Sequence, residues 1–268
     1  MIFKARYAAV LLAAVMAAAG CGLKKVQNAV DNIPVLVLGS DEYEPYVYTE
    51  NGEDYIGIDV DLAKEACKRI GYRAEVKIIK WDEKDKSLES GEVDCLWGSF
   101  SMNGRENSYK WAGPYLLSRQ VVAVHKNSSV YTLKDLADKY ISVQSSSKPE
   151  SIFLNPDNER IPAVKNVYCF VELEDAFAAF RKGYVDAVAG HEIPMKKLMD
   201  DDDGNYRILD EPLIVSKLGA AFKKDDTTGL PERLKEAFIE MINDGTLETI
   251  IAKYGIGKED IPTEDLYE

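Results

Sequence analysis

Two short stretches decide the fold: residues 91–98 read GEVDCLWG, and residues 183–190 read GYVDAVAG. Each begins with the glycine that ends an amphipathic helix, continues into an apolar strand, and reaches another glycine four residues after its aspartate. Two copies of such a unit in one chain predict two similar α/β lobes. Ligands of α/β sheets bind beyond the carboxyl ends of the strands. We therefore expect the functional site in the segments after Trp97 and after Ala189.

Strands and helices alternate on both sides of these two stretches. Asp59 is a predicted N-cap of a helix that Gly71 ends, and Pro231 opens a C-terminal helix that Gly245 stops. This alternation predicts an α/β fold with mostly parallel sheets. The apolar runs predict strands at residues 35–38, 76–79, 93–97, 119–124, 140–143 and 185–189.

The first 32 residues differ from the rest of the chain. Lys4 and Arg6 precede an apolar run at residues 8–19, which is too short to span a bilayer and ends in small residues. Residues 1–20 are therefore a predicted signal peptide. Cys21 follows as in a bacterial lipobox, with residues 21–32 as a polar tether, and an ordinary signal with an incidental cysteine is the alternative. We expect an exported protein, at the cell surface or in the periplasm, held to the membrane by lipid on Cys21.

Charge and cysteine content narrow the function further. The formal net charge of −13 argues against nucleic acid and anionic membrane surfaces as partners. Cys67 and Cys95 fall on apolar faces, which favours buried thiols, and a disulfide between them stays open. The sequence has no GxSxG, HExxH or P-loop motif. We therefore expect no metal, no cofactor and no catalytic residue, in a protein that acts as a monomer.

Motifs spread over residues 34–256 resemble a known family. The similarity is carried by Gly39-Ser40-Asp41, Tyr43, Pro45-Tyr46, Gly57-Ile58-Asp59-Val60-Asp61-Leu62-Ala63, Trp81, Arg105, Pro114-Tyr115, Val143-Gln144 and Asp244-Gly245. In order and spacing these resemble the amino-acid-binding proteins of bacterial ABC importers, the group of the histidine- and glutamine-binding proteins. The resemblance implies a two-lobe periplasmic-binding-protein fold of type II, with a ligand cleft between the lobes. Lobe 1 would comprise residues 33–117 and 218–268, and lobe 2 residues 118–217.

The resemblance also assigns residues to the carboxylate of the ligand. The guanidinium of Arg105 would grip it with two parallel hydrogen bonds, since its planar fork matches a carboxylate. Gly98, Ser99 and Ser101 match positions that complete this grip. The second lobe would contribute a turn before a helix, with Ser146 and Ser147 as the candidate residues; capping of that helix alone is the alternative.

The rest of the ligand would meet other residues. By resemblance, Tyr43 covers the ligand and Asp41 meets its side chain, whereas Trp97 fits a pocket wall or core packing. Relatives often bind the ligand's ammonium with an aspartate where this chain has His191. Glu192, Asp41 or Glu42 would then take over that role, or the ligand lacks a standard ammonium.

These features predict a binding protein, not an enzyme. It would capture an amino acid or related small carboxylate and deliver it to the membrane subunits of an ABC importer. One alternative is an enzyme similar to the cyclohexadienyl dehydratases of the same fold, with His191 and Glu192 as an acid–base pair. Another is a ligand-sensing protein that contacts a separate receptor.

Overall fold

A computed structural model describes residues 33–155, 157–200, 205–263 and 266 of the protein. Within these residues, the strands join into one sheet in the order β2-β1-β3-β9-β4-β7-β5-β6, with β8 paired to β4. The strands are β1 (Val35–Ser40), β2 (Arg73–Ile78), β3 (Cys95–Leu96), β4 (Lys110–His125), β5 (Tyr140–Gln144), β6 (Asn166–Phe170), β7 (Ala187–His191), β8 (Tyr206–Ile208) and β9 (Ile214–Phe222).

Seven α-helices in the described residues pack against this sheet. They are α1 (Ile58–Arg69), α2 (Lys84–Ser90), α3 (Lys148–Phe153), α4 (Leu173–Arg181), α5 (Glu192–Asp200), α6 (Leu230–Asn243) and α7 (Thr246–Ala252). The apolar face of α6 closes one core, where Phe238 packs on Trp97 and Tyr115 with ring centroids 5.3 and 5.5 Å away. Trp97 is thus a packing residue and does not line the cavity described below.

The sheet has two halves that are joined by β4 and β9. Strands β1, β2 and β3 pair in parallel in one half, and β5, β6 and β7 pair in parallel in the other. The two long strands run antiparallel to each other and pass from one half into the other. The sheet is therefore mixed, and the prediction of mostly parallel pairing was wrong, because the connecting strands run against the parallel units.

The repeated stretches play the same structural part in the two halves. Gly91 and Gly183 each come directly after a helix. Both glycines adopt the left-handed backbone conformation, with φ of 74° and 73°. The Asp94 carboxylate then accepts a hydrogen bond from Val37 N at 2.7 Å, and the Asp186 carboxylate accepts one from Tyr140 N at 2.8 Å. Each aspartate fastens its strand to the neighbouring parallel strand. The prediction of two similar α/β units is confirmed.

One predicted cap was wrong. Helix α1 begins at Ile58, with Gly57 as the N-cap residue and no side-chain capping hydrogen bond. Asp59 lies inside the first turn and is buried, where its Oδ2 accepts a hydrogen bond from Ser99 N at 2.6 Å. Only glycine fits at position 57, because a Cβ there would lie 2.3 Å from Tyr46 O.

Other elements differ from the prediction in length. The sequence predicted residues 119–124 as a strand, but β4 begins nine residues earlier, at Lys110. Its first part was missed because Gly113 and Pro114 are typical of turns; here they form an irregularity in the pairing with β9. Cys67 and Cys95 are buried free thiols, as favoured, and are not joined to each other.

The predicted signal peptide, the tether and Cys21 lie outside the described residues. Within the described ranges, no helix has both the length and the apolar character needed to cross a bilayer.

The paired aspartates lead to a stability prediction. Asp186→Ala should lower the free energy of unfolding by about 1–3 kcal/mol, because Tyr140 N loses its acceptor at the start of β5. Urea unfolding followed by circular dichroism measures the change. Asp54→Ala, at an exposed position, is the control and should change stability by less than about 0.5 kcal/mol. Equal effects of the two substitutions would contradict the role given to Asp186.

Candidate functional site

A cavity between the two halves collects nine of the ten predicted ligand-binding residues. It holds about 440 Å³ of empty space, part of which is open to solvent. It lies where β1, β3, β5 and β7 end, which is the edge that the repeated stretches predicted. The nine residues are Asp41, Tyr43, Gly98, Ser99, Ser101, Arg105, Ser146, Ser147 and His191.

Arg105 supplies a half-buried positive charge to this cavity. Its guanidinium lies 5.1 Å from the centre of the Phe100 ring and donates hydrogen bonds to Ser101 O at 3.2 Å and to Ser146 O at 3.3 Å. Burial lowers the pKa of Arg105. No ion pair joins it to a carboxylate in the part of the chain that the structure describes. A desolvated cation with unused donors is a strong site for an anion.

The backbone on each side of the cavity is held in an unusual conformation. Ser99 and Ser146 have φ of 45° and 58°, in the left-handed region that residues other than glycine rarely adopt. Their amides are held by carboxylates, Ser99 N by Asp59 and Ser146 N by Glu150 Oε2 at 2.7 Å. Strain of this kind is typical of functional sites, because the surrounding structure must be built to maintain it.

Ser147 has a capping role. Its Oγ accepts a hydrogen bond from Glu150 N at 3.3 Å and so caps α3. The hydroxyl group of Ser147 therefore caps the helix, as the alternative prediction had it. The residue nevertheless borders the cavity.

Asp41 adds a carboxylate to the cavity wall. It is 6% exposed, and its Oδ2 accepts a hydrogen bond from Gln144 Nε2 at 2.6 Å, across the two halves. Burial, the largest cause, raises the pKa of Asp41 to about 7, although the Gln144 bond acts in the opposite direction. Asp41 also borders an outer groove whose acidic residues are Glu42, Glu44, Glu172 and Glu174. The cavity therefore opens toward negative charge on this side.

His191 and Glu192 are neighbours in the chain but face different surroundings. His191 lies in the cavity wall, where burial lowers its pKa to about 3, so the ring is neutral at physiological pH. Its Nδ1 lies 2.8 Å from Ser118 Oγ, and its Nε2 lies 2.8 Å from Gln120 Nε2. Glu192 is outside the cavity and pairs with Arg119 at 3.0 Å and Lys196 at 2.8 Å. The two side chains therefore do not form an acid–base pair.

Sequence reasoning missed several residues of the cavity wall. Phe100 carries Arg105 on its ring and meets Trp81 edge-on at 5.0 Å between ring centroids. Gln120 and Lys148 also line the cavity. The signal for Phe100 was its place between two predicted binding serines. Gln120 had no local signal, because it lies in the middle of a strand. Within the described residues, no three His, Cys, Asp or Glu side chains are grouped in a way that would hold a metal ion.

Comparison with known proteins agrees with this geometry. Residues 35–258 match the bacterial extracellular solute-binding proteins, family 3. The arginine-binding extracellular protein ArtP of Bacillus subtilis (strain 168) is 27% identical over 237 residues, which cover 84% of this chain and 87% of that protein. The histidine-binding periplasmic protein of Escherichia coli (strain K12) is 27% identical over 228 residues, covering 81% of this chain and 86% of that protein.

Solved structures show the same architecture. An ancestral arginine-binding protein bound to arginine matches with a TM-score of 0.73 and 25% identity, covering 82% of this chain and 97% of that one. The predicted two-lobe periplasmic-binding-protein fold of type II is confirmed.

The raised pKa of Asp41 leads to a prediction about pH. The carboxyl has a pKa of about 7 in the folded protein against an ordinary value of 3.8. Its contribution to stability is therefore fully present below pH about 4 and is lost as the pH rises to about 7. The Asp41→Asn side chain cannot ionise. As the pH rises from 5 to 7.5, the free energy of unfolding of this variant should therefore increase by about 1–3 kcal/mol relative to that of the wild type.

Urea unfolding of the ligand-free proteins at the two pH values measures this difference. Asp54→Asn, at an exposed position, is the control and should follow the wild type at both. If the free energy of unfolding depends on pH in the same way for Asp41→Asn and the wild type, Asp41 does not have the raised pKa that we assign to it.

Proposed function

Because the chain belongs to family 3 of the bacterial extracellular solute-binding proteins, we propose that it captures an amino acid or related small carboxylate between its lobes and delivers it to an ABC importer. The observation that carries the proposal is Arg105, a half-buried guanidinium without a carboxylate partner among the described residues, at the wall of a cavity that both halves enclose. A carboxylate ligand supplies the missing charge with a geometry that the guanidinium fork fits.

A second charged residue of the cavity wall indicates the kind of amino acid. Asp41 is a buried carboxylate beside an acidic outer groove, and burial of its negative charge is unfavourable unless a cation or hydrogen-bond donor approaches. An amino acid with a cationic or donor-bearing side chain would satisfy Asp41 while its carboxylate satisfies Arg105. The relatives named for arginine and histidine bind ligands of this kind.

The lobes we propose are residues 33–117 with 218–268, and residues 118–217. Strands β4 and β9 would then form the two crossings, near residues 117–121 and 216–218. The polar contacts that join the proposed lobes include Asp41 with Gln144 at 2.6 Å, Arg105 with Ser146 O at 3.3 Å, and Glu44 with Lys197 at 3.2 Å. They support a cleft that closes over its ligand by a hinge motion.

The alternative functions have less support. The dehydratase alternative needs an acid–base pair, and Glu192 is engaged by Arg119 and Lys196 outside the cavity. A ligand-sensing protein would use the same cavity. It would differ only in that its closed form contacts a separate receptor and not an ABC importer. Binding without chemical change, followed by transfer to an importer, therefore stands as our proposal, for a protein that acts as a monomer without a cofactor.

Anchoring by lipid is part of the proposal. Residues 1–20 would direct export, and Cys21 would carry the lipid at the start of a tether of residues 21–32. The relatives' family is extracellular or periplasmic, and a lipid anchor would keep this protein beside its importer at the cell surface.

The main test of the binding site is Arg105→Ala. Isothermal calorimetry of the wild type with the twenty proteinogenic L-amino acids first identifies the amino acids that bind. Arg105→Ala should lower the affinity for the tightest-binding amino acid by about 30-fold to several thousand-fold, because loss of one partner of a desolvated ion pair typically costs about 2–5 kcal/mol. Arg105→Lys should restore only part of the affinity, since an ammonium cannot form the planar fork.

Arg181→Ala is the matched control for this test. Arg181 is exposed at the end of α4, away from the cavity, and its replacement should leave affinity within about threefold of the wild type, a difference well under 1 kcal/mol. If Arg105→Ala also binds within threefold, the carboxylate site lies elsewhere. If no amino acid binds the wild type, capture of an amino acid is wrong as the proposed function.

Anchoring has its own test. Cys21→Ser should release the protein from membranes into the soluble or secreted fraction when native cells are fractionated. Cys169→Ser is the control, because it removes an exposed thiol of the folded part and should leave the protein at the membrane. Membrane association of the Cys21→Ser protein at the wild-type level would rule out lipidation there.

A further inference from the structure

Gln120 presents an unused hydrogen-bond acceptor at the cavity. It lies in the middle of β4, is 1% exposed, and lines the cavity beside His191. Its Nε2 lies 2.8 Å from His191 Nε2 and 3.3 Å from Ser216 Oγ. Its Oε1 is buried and has no hydrogen-bond partner among the described residues. A buried carbonyl oxygen without a donor is costly, and native structures rarely leave one so.

The amide of Gln120 packs against the imidazole of His191. Its Nε2 lies 2.8 Å from His191 Nε2 and 3.2 Å from His191 Nδ1, and so lies over the ring face and not along the lone pair of either nitrogen. A chain of contacts continues from His191 Nδ1 to Ser118 Oγ at 2.8 Å and on to Tyr46 Oη at 3.2 Å. The imidazole is therefore surrounded by protein groups, and Gln120 Oε1 is an acceptor left without a donor among the described residues.

A second chain of hydrogen bonds places Gln120 near the carboxylate end of the cavity. From Gln120 Nε2 the chain runs to Ser216 Oγ at 3.3 Å, and from there to Ser101 Oγ at 3.1 Å. Ser101 O in turn accepts the bond from Arg105. The Asp41 carboxylate accepts its hydrogen bond from Gln144 and is not part of this chain. A ligand carboxylate held by Arg105 would therefore be close to the Gln120 wall.

We propose that Gln120 Oε1 accepts a hydrogen bond from the α-amino group of the bound amino acid, so that an uncharged amide recognises this group. The inference rests on the proposed function. In an α-amino acid the amino group is on the carbon next to the carboxylate, which makes it the ligand donor nearest to the Arg105 corner. Gln120 is thus a residue that determines specificity for an α-amino group, and it acts from the strand that joins the two halves.

The test pairs each substitution with removal of the ligand's amino group. The probes are the tightest-binding L-amino acid from the panel of twenty and the acid with the same side chain but no amino group. For arginine this is 5-guanidinopentanoic acid, and for histidine 3-(imidazol-4-yl)propanoic acid. Calorimetry measures both probes on the wild type, Gln120→Met and Gln120→Glu, and thermal melting checks that each variant is folded.

Gln120→Met keeps the length of the side chain and removes the acceptor. It should lower the affinity for the amino acid by about 10- to 100-fold, whereas the affinity for the deamino acid should stay within about threefold of the wild-type value. A purely structural role, through His191 and Ser216, would weaken both probes equally and would overturn the proposal. The same equal loss would follow if the amide were turned and Nε2 faced the ligand carboxylate.

Gln120→Glu keeps the acceptor and adds a negative charge, and it carries the test if Gln120→Met does not fold. It should increase the preference for the amino acid over the deamino acid by about tenfold or more relative to the wild type, because a charged acceptor binds an ammonium more strongly. An unchanged or smaller preference would overturn the proposal. If no amino acid binds the wild type, the proposed function fails; if binding occurs but both variants keep the wild-type preference, only the Gln120 inference fails.

Discussion

The antiparallel pairing of β4 with β9 is the constraint on which the rest of the structure depends. It joins two parallel units that have no other strand in common, and it runs from Lys110 paired with Phe222 to Gln120 paired with Ile214. The same strands carry Ser118, Gln120 and Ser216, so the connection between the halves is also a wall of the cavity. Any rotation of one half against the other must therefore change the geometry of this polar wall.

The cavity combines charges that the protein itself leaves unbalanced. Arg105 is half-buried against Phe100 and donates hydrogen bonds to backbone carbonyl oxygens, whereas Asp41 is buried with an amide as its partner. Direct pairing of the two charges would have removed the drive to bind a ligand, since each would already be neutralised. Because no ion pair joins Arg105 to Asp41 in the described part of the chain, the cavity favours a molecule that carries both a carboxylate and a donor or cation.

The strained serines show how each half contributes a comparable element. Ser99 and Ser146 both hold left-handed backbone, and each has its amide fixed by a buried or half-buried carboxylate. This arrangement explains why Asp59 is not a helix cap: its carboxylate is needed at the cavity, where it holds Ser99, and Gly57 starts the helix instead. Burial raises the pKa of Asp59 to about 7, which is the cost of placing it there.

The sequence by itself determined the two α/β units, because glycine, valine and aspartate at the same spacing in both stretches specify the same local hydrogen bond at Asp94 and at Asp186. The resemblance of its motifs to the amino-acid-binding proteins also indicated Arg105 and the neighbouring serines, which line the cavity. Only the tertiary structure decided the roles of Gln120, His191 and Glu192. Adjacent residues of a strand end and a helix start point in different directions, and hydrogen bonds between strands far apart in sequence leave no local pattern to read.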